Sequence, residues 1–109
     1  MKDIPVSDLI IRSADLEDVP LLLEFIKGIA EYEHLGHMVS ATEASLQKAF
    51  FGKRPYAEAL IAELDSVPVG FVVFFHSFST FVGKPGLYLE DLYVLPEQRG
   101  KGIGAALFM

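Results

Sequence analysis

Residues 87–107 hold the side-chain types and spacing that point most directly to chemistry in this 109-residue sequence. An apolar, strand-like run, residues 87–94, is followed by a loop with glycines at positions 100, 102 and 104. Glycines at alternate positions free a loop of side chains just as it enters a helix, so successive main-chain N–H groups can point together at an anion. Arg99 and Lys101 add positive charge at the same place. The pattern therefore predicts a loop that holds a pyrophosphate.

Three phosphate-binding patterns can be compared with this loop by their spacing. A Walker A loop needs a lysine and a hydroxyl directly after its last glycine, and Gly104 is followed by Ala105. The Rossmann pattern G-x-G-x-x-G/A is formally met by Gly100, Gly102 and Ala105, but it follows its strand by a tight turn and precedes an acidic residue about 20 positions on. Here residues 95–99 intervene and the sequence ends too early. A third pattern, R-x-x-G-x-G/A, is filled by Arg99, Gly102 and Gly104, and a loop that only makes a tight turn is the alternative.

The helices that must position this loop can be predicted from capping residues and hydrophobic periodicity. Residues 9–12 alternate as a first strand. Asp15, with Asp18 three positions on, can cap a helix whose apolar residues recur at helical spacing: Val19, Leu22, Leu23, Ile26, Ile29 and Ala30. Ser40 and Glu43 have the spacing of a capping box, which predicts a second helix to about Phe50.

Three strands are predicted after the second helix. Residues 57–64 and 69–77 are apolar runs separated by a turn sequence, which is typical of a hairpin. A second connection, residues 80–86, leads into the strand that carries Glu90, so the three strands form a meander. The element order predicts an α/β (α+β) domain with an antiparallel-rich, mixed sheet flanked by helices. The aromatic residues of this region indicate core or an edge interface: Phe71, Phe74, Phe75, Phe78 and Phe81.

Composition narrows the classes of function. The formal net charge of −6 disfavours a nucleic-acid surface and favours cationic partners. No apolar run approaches the roughly 20 residues that cross a bilayer. Residues 1–5 lack the apolar region of a signal peptide, so we expect a cytoplasmic protein without a membrane partner. Cysteine is absent, which excludes thiolate ligands, and His34, His37 and His76 are too scattered for a metal site.

Several segments make the sequence similar, over its whole length, to the GCN5-related N-acetyltransferase (GNAT) superfamily, in which the R-x-x-G-x-G/A loop binds the pyrophosphate of acyl-CoA. Four further segments most resemble the spermidine/spermine (diamine) acetyltransferase branch: Tyr32-Glu33, Gly52-Lys53-Arg54-Pro55, Val69-Gly70-Phe71 and Tyr88-Leu89-Glu90-Asp91. The resemblance implies the GNAT fold. It also implies transfer of acetyl from acetyl-CoA to the primary amine of a small polyamine or lysine-like substrate by direct attack.

On the cofactor side, the resemblance implies roles for individual residues. The main chain of residues 92–94 would bind the pantetheine arm and polarise the thioester carbonyl. The main chain of residues 100–105, with the Arg99 side chain, would hold the pyrophosphate. The implied acetyl-CoA site therefore comprises Leu92, Tyr93, Val94, Arg99, Gly100, Lys101, Gly102, Ile103, Gly104 and Ala105.

On the acceptor side, the implied residues are Tyr32, Glu33, Glu90 and Asp91. An amine of pKa about 10.4 is mostly protonated at neutral pH, so the reaction needs a base or a proton path. Glu90 is the implied catalytic residue, because it interrupts an apolar strand in which burial would raise its pKa. Glu33 would hold the far cationic end of the substrate. Side chains alternate along a strand, so Glu90 and Asp91 are expected on opposite faces, with one of them simply solvated. For Tyr32 and Glu33, the alternative is the polar end of an amphipathic helix.

The resemblance implies more sequence than these residues contain. Such enzymes continue with a fifth strand and a tyrosine that protonates the leaving thiolate, so we expect residues 1–109 to be the N-terminal part of one domain, with weak or no turnover alone. An unpaired apolar edge beside the strand of Glu90 favours self-association, and the branch implies a homodimer or a strand-exchanged oligomer. A non-catalytic acyl-CoA-binding or oligomerising module is the alternative function.

Overall fold

Four strands form one sheet in the computed structural model, which describes residues 9–108. They are β1 (Leu9–Ser13), β2 (Glu58–Leu64), β3 (Val67–Ser79) and β4 (Lys84–Val94). The strands pair antiparallel in chain order, so the predicted meander and the α/β (α+β) class are confirmed, and the described strands contain no parallel pair. The expectation for residues 1–5 falls outside the described residues.

The first helix, α1 (Val19–Tyr32), begins where the sequence predicts it. Asp15 accepts a hydrogen bond from the Glu17 N–H (2.9 Å), and the Asp18 carboxylate accepts one from the Asp15 N–H (2.8 Å), which closes a 3-10 turn ahead of the helix. Arg12 of β1 donates two hydrogen bonds to the same Asp18 carboxylate, at 2.7 and 2.9 Å. The guanidinium lowers the pKa of Asp18, and the ion pair joins the first strand to the start of α1.

The second helix, α2 (Glu43–Phe51), corrects the predicted cap. The N-cap is Thr42, whose hydroxyl accepts from the Ser45 N–H (3.1 Å), while the Ser45 hydroxyl accepts from the Thr42 N–H (2.9 Å). Ser40 and Glu43 have the same spacing of three residues, so the pattern alone could not separate the two pairs.

Both hairpin connections are shorter than predicted. Asp65 and Ser66 have φ values of 51° and 67°, which form a two-residue turn, and Val67 already pairs with Leu64. The β3–β4 connection comprises residues 80–83, and Pro85 pairs with Phe78 inside the ladder. The sequence prediction placed Pro85 in a loop, but proline is tolerated on an edge strand because its missing N–H is not needed there.

Helices cover both faces of the sheet. On one face α1 and α2 pack on β2 and β3, with Leu22, Phe25, Ile61 and Phe71 almost fully buried. On the other face α3 (Ile103–Phe108) packs through Ile103 and Leu107 against Ala62, Val69 and Val72. Of the aromatic residues predicted as core or interface, Phe71 is buried, Phe74 and Phe75 are half-buried, and Phe78 and Phe81 are exposed. The end of α1, the end of β4 and the start of α3 thereby meet at one side of the molecule.

Candidate active site

A cleft of 440 Å³ opens where α1, β4 and the glycine loop meet. It is lined by Ile29, Tyr32, Glu33, Leu92, Tyr93, Val94, Gln98, Arg99, Gly100, Gly102, Ile103 and Gly104. The structure thus brings together all the residues predicted for acetyl-CoA except Lys101 and Ala105, which do not line the cleft. We call this space the cofactor cleft.

Two of the three loop glycines are required by the backbone. Gly100 and Gly102 have φ values of 82° and 81°, a conformation that side chains with a Cβ rarely adopt, and a Cβ at either would meet nothing within 4 Å. Gly104 differs, because a Cβ there would lie in ordinary contact, 3.9 Å from Val94 Cγ2. There is therefore room for a Cβ at position 104, and the glycine places no side chain on this wall of the cleft.

The loop presents a row of main-chain donors. Ala106 makes the first bond of α3, donating its N–H to the Gly102 carbonyl at 3.1 Å. In the part of the chain described here, no acceptor is found for the N–H groups of residues 100–105. Successive unpaired N–H groups around left-handed glycines suit an anion. Lys101 Nζ donates to Gln98 Oε1 at 2.8 Å, so its ammonium group lies beside a residue that lines the cleft and adds positive charge next to it.

Arg99 lies between the loop and the end of α1. Its Nε donates to the Val94 carbonyl at 2.9 Å, and its guanidinium carbon lies 4.8 Å from the centre of the Tyr32 ring and 5.6 Å from that of Tyr93. Tyr32, which the sequence places in the acceptor pocket, therefore lines the cofactor cleft in the structure.

The last residues of β4 offer main-chain groups along an edge of the sheet. The Leu95 N–H donates to the Val69 carbonyl at 2.8 Å, toward β3. Because main-chain groups alternate in direction along a strand, those of Tyr93 also face β3, and those of Leu92 and Val94 face away from it. Among the described strands β4 has no further neighbour on that side. The Leu92 and Val94 N–H groups are therefore available to a ligand.

A β-bulge in β4 corrects the expected directions of Glu90 and Asp91. Val73 pairs with Asp91 and Phe74 pairs with Leu89, so Glu90 is the extra residue without a partner across the ladder. The bulge interrupts the alternation of side chains, and Glu90 and Asp91 line the same two clefts rather than opposite faces.

These two clefts meet at Ile26, Glu90 and Asp91, and we call them the aromatic cleft and the acidic cleft. The aromatic cleft, 330 Å³, is further lined by Phe50, Tyr56, Ala57, Val73 and Phe75. The acidic cleft, 400 Å³, is further lined by Ile29, Ala30, Glu33, Leu35, Met38 and Val39. Ile29 and Glu33 also line the cofactor cleft, so the clefts form one continuous groove.

Asp91 is a carboxyl of the acidic cleft whose pKa is shifted by its surroundings. Burial raises the pKa of Asp91, and the neighbouring carboxylates of Glu90 and Glu33 raise it further. Glu90 is exposed, so the burial that the sequence predicts at Glu90 is found at the next residue instead. Asp91 pairs with Val73, a core residue under α1 and α2, and therefore lies on that face of the sheet near Ile26, whereas Glu90 is the unpaired bulge residue.

Gly28 of α1 is a site residue that the sequence reasoning missed. A Cβ at this position would lie 2.7 Å from the Tyr93 hydroxyl oxygen, so only glycine lets the Tyr93 ring lie against the helix. The available signal was a glycine inside an otherwise regular helix, which costs about 1 kcal/mol relative to alanine.

A further cleft, of 430 Å³, lies beyond the end of β1 and contains none of the predicted site residues. Its polar groups Glu58 and His76 face each other at 3.2 Å on the exposed surface. In residues 9–108, no group of three or more His, Asp or Glu side chains is placed to hold a metal ion. No helix among the same residues is long and apolar enough to cross a membrane.

Comparison with known proteins gives a consistent result. Residues 23–109 match the model of the "Acetyltransferase (GNAT) family". The chain is 38% identical over 107 residues to thialysine N-epsilon-acetyltransferase of Bos taurus, covering 91% of this chain and 62% of that protein. It is 36% identical over 104 residues to spermidine/spermine N(1)-acetyltransferase-like protein 1 of Homo sapiens, covering 89% of this chain and 15% of that protein.

Solved structures resemble the fold. An aminoglycoside acetyltransferase from an uncultured soil metagenomic sample superposes with a TM-score of 0.77 at 21% identity, covering 94% of this chain and 66% of that chain. An integron cassette protein from the mobile metagenome of Cole Harbour Salt Marsh has a TM-score of 0.74 at 27% identity, covering 89% and 63%. The likeness confirms the predicted fold. The chain spans 61–64% of the length of the mammalian thialysine acetyltransferases that it matches.

The environment of Asp91 predicts that this residue lowers stability at neutral pH. Asp91→Asn should keep or raise the free energy of unfolding there, by no more than about 1 kcal/mol after solvent screening, because an amide avoids ionisation beside Glu90 and Glu33. A carboxyl whose folded-state pKa is raised stabilises the fold while it is protonated and loses that contribution as pH rises through its folded-state pKa. The advantage of Asp91→Asn should therefore shrink as pH falls through that pKa.

Urea unfolding of both proteins near neutral pH and at about pH 4 measures this difference. Glu24→Gln, an exposed change on α1, is the control and should show no such trend. A variant clearly less stable than the parent at neutral pH would contradict the assignment.

Proposed function

Because this chain belongs to the acetyltransferase (GNAT) family, we propose that it binds acetyl-CoA and provides the site at which the acetyl group is transferred to a primary amine of a small, cationic substrate, with weak or no turnover by residues 1–109 alone. The observation that carries the proposal is one continuous groove. Main-chain N–H donors and Arg99 lie at one end, Glu90 and Asp91 lie at the other, and Glu33 lines both parts. An anion-binding end and a cation-binding end suit the two substrates of such a reaction.

The cofactor cleft fits acetyl-CoA in both shape and polarity. The N–H groups of residues 100–105 and the free edge of the Arg99 guanidinium would receive the pyrophosphate. The outward N–H groups of Leu92 and Val94 would bind the amide-rich pantetheine arm as a neighbouring strand would. Position 91 lies about 10 Å along β4 from position 94, so an arm that follows the strand away from the loop leads to the carboxylates.

The acceptor side supports an amine that carries more than one positive charge. Glu33, Glu90 and Asp91 attract an ammonium group, and the aromatic cleft offers apolar walls to an aliphatic chain. Two relatives carry names that mention thialysine or spermidine and spermine, which are small amines of this kind. We therefore propose a polyamine or lysine-like acceptor.

The carboxylates provide a path for the amine proton. When bound, acetyl-CoA supplies the acetyl group, and the protein must hold the amine neutral beside the thioester. Glu90 is the proposed catalytic residue, receiving through water a proton of the nitrogen that forms the new C–N bond. The thioester C–S bond would break in the same reaction, and the CoA thiolate would leave and take a proton from water. Asp91 is a second candidate on an independent observation, since burial and two carboxylates raise its pKa toward the range of a general base. The N–H of Leu92 or Val94 would donate to the thioester oxygen as negative charge develops there.

Three further expectations from the sequence stay predictions. We expect residues 1–109 to form the N-terminal part of one domain, and we expect a cytoplasmic location. We also expect no nucleic-acid, membrane or metal partner.

Self-association is supported by the exposed tip of the β3–β4 hairpin. Four apolar side chains of this hairpin are largely exposed: Phe78 (65%), Phe81 (100%), Val82 (67%) and Leu87 (66%). Together they form a large apolar surface for so small a domain. Side chains of this kind pack well against a second copy, and we propose a homodimer or a strand-exchanged oligomer through this hairpin and the edge of β4.

Acetyl-CoA should bind the purified chain saturably in a calorimetric titration, and NADH should not. Gly104→Val should raise Kd at least about tenfold, because its side chain would occupy space at the wall of the cleft, and a thermal unfolding scan of the variant checks that it is folded. Gly36→Val is the matched control, since Gly36 is exposed, has no atom within 4 Å of its Cβ position and lies outside the cleft. Equal acetyl-CoA affinity of Gly104→Val and the parent would contradict the placement of the cofactor.

Spermidine or thialysine, titrated in the presence of CoA, should shift the amide NMR signals of Glu90 and Asp91. Glu33→Gln should raise Kd about two- to fivefold, as expected for one partly solvated ion pair. Glu31→Gln, two residues away on the exposed side of α1, should leave Kd unchanged. Acetyl-CoA binding without any response to these amines would favour the non-catalytic acyl-CoA-binding module.

Light scattering at micromolar concentration should give the mass of two chains or more. Phe81→Ser should shift the population toward a single chain, because it removes the most exposed aromatic side chain of the hairpin. Leu35→Ser, an exposed apolar residue away from the hairpin, is the control. A single-chain mass for the parent protein would contradict the proposal.

A further inference from the structure

Arg99 lies on an exposed loop, but its side chain is held in one place by its neighbours. A free arginine side chain loses up to about 2 kcal/mol of rotamer entropy when it is ordered. Here three contacts order it: the 2.9 Å hydrogen bond from Nε to the Val94 carbonyl, the Tyr32 ring at 4.8 Å and the Tyr93 ring at 5.6 Å. Within residues 9–108 no carboxylate lies within 4.0 Å of its nitrogen atoms.

The Tyr93 ring is anchored from beneath. Its centre lies 5.7 Å from that of Phe25 and 6.5 Å from that of Phe71, both of which are core residues. Its hydroxyl end lies where a side chain at position 28 would be, so α1 carries glycine there. The ring is therefore a rigid surface fixed by the core, with the Arg99 guanidinium near its outer part.

Tyr32, unlike Tyr93, is not packed against the hydrophobic core. It is the last residue of α1, is 69% exposed and belongs to neither hydrophobic cluster. The guanidinium of Arg99 is the charged group over its ring. The Tyr32 ring therefore contacts the Arg99 guanidinium and not the hydrophobic clusters.

We propose that Tyr32 is a positioning residue for the cofactor, holding Arg99 together with Tyr93 so that the terminal guanidinium nitrogens face the pyrophosphate of acyl-CoA. Aromatic rings attract a guanidinium through its face, which leaves the N–H donors at its edge for a bidentate contact with phosphate oxygens. The Val94 carbonyl takes the Nε–H and so fixes which edge stays free. This inference rests on the proposed binding of acetyl-CoA, and it moves Tyr32 from the acceptor side to the cofactor side.

The first test observes the clamp without any ligand. In the ¹⁵N–¹H spectrum of the full chain, the Arg99 Nε–H signal is assigned by its absence in Arg99→Ala. Tyr32→Phe, which keeps the ring, should leave the signal in place, and Tyr32→Leu should move it downfield because the ring current of Tyr32 is lost. An Arg99 Nε–H signal that does not move in Tyr32→Leu would overturn the proposal, whether or not acetyl-CoA binds.

The second test measures acetyl-CoA affinity by calorimetry. Tyr32→Leu should raise Kd about two- to fivefold, and Tyr32→Phe should stay within the error of the parent. In the Arg99→Ala background, Tyr32→Leu should have no further effect, since its contribution acts through the arginine. Tyr88→Leu is the control, because Tyr88 is an exposed tyrosine of β4 that stacks on Phe75 at 4.8 Å instead of on an arginine.

The outcomes separate this inference from the proposed function. If the parent chain binds no acetyl-CoA, the proposed function fails, and the clamp is judged by the Arg99 signal alone. If the parent binds and Tyr32→Leu binds equally well, the clamp is wrong and the proposed function stands. If Tyr32→Phe weakens binding as much as Tyr32→Leu, the hydroxyl is responsible and the positioning role is refuted.

Discussion

The contact between the Tyr93 ring and the main chain of α1 at Gly28 decides how the helix lies over β4. A Cβ at Gly28 would lie 2.7 Å from the Tyr93 hydroxyl oxygen and 2.8 Å from the ring carbon that carries it, so a larger residue would push the helix and the ring apart. This close approach brings Tyr32 and Glu33, at the end of α1, over the loop that follows β4. The groove, its two charged ends and the restrained Arg99 all depend on this distance between one helix and one strand.

Two local features of the backbone place the charged and polar groups along the groove. At one end, left-handed glycines expose main-chain N–H groups, Arg99 lines the cleft, and the Lys101 ammonium group lies beside it on Gln98. At the other end, a β-bulge places Glu90 and Asp91 on the same side, beside Glu33. The crowding of three carboxylates raises the pKa of Asp91 and destabilises the ligand-free site, a cost that a cationic ligand relieves.

Much of this architecture could be predicted because it follows from local pattern. The pairing of Asp15 with Asp18, the order of the strands and the glycine loop each rest on residues close together in the chain. The strands and the loop are as expected, whereas the Asp15–Asp18 capping box closes a 3-10 turn directly before α1 and not the first turn of α1 itself. The errors were also local. Ser40 was taken for Thr42 as a cap because two candidate pairs share one spacing, and Pro85 was taken for a loop residue because nothing in the sequence marks β4 as an edge strand.

The sequence by itself determined the fold class and the position of the glycine loop, because periodicity, capping and left-handed glycines are properties of neighbouring residues. Only the tertiary structure decided that Glu90 and Asp91 line the same clefts, that Asp91 is half-buried while Glu90 is exposed, and that the Tyr32 ring lies on the Arg99 guanidinium. The bulge depends on the register with β3, and the placement of Tyr32 depends on a helix and a loop separated by more than half of the chain. Such contacts arise from packing between distant segments, and no local pattern encodes them.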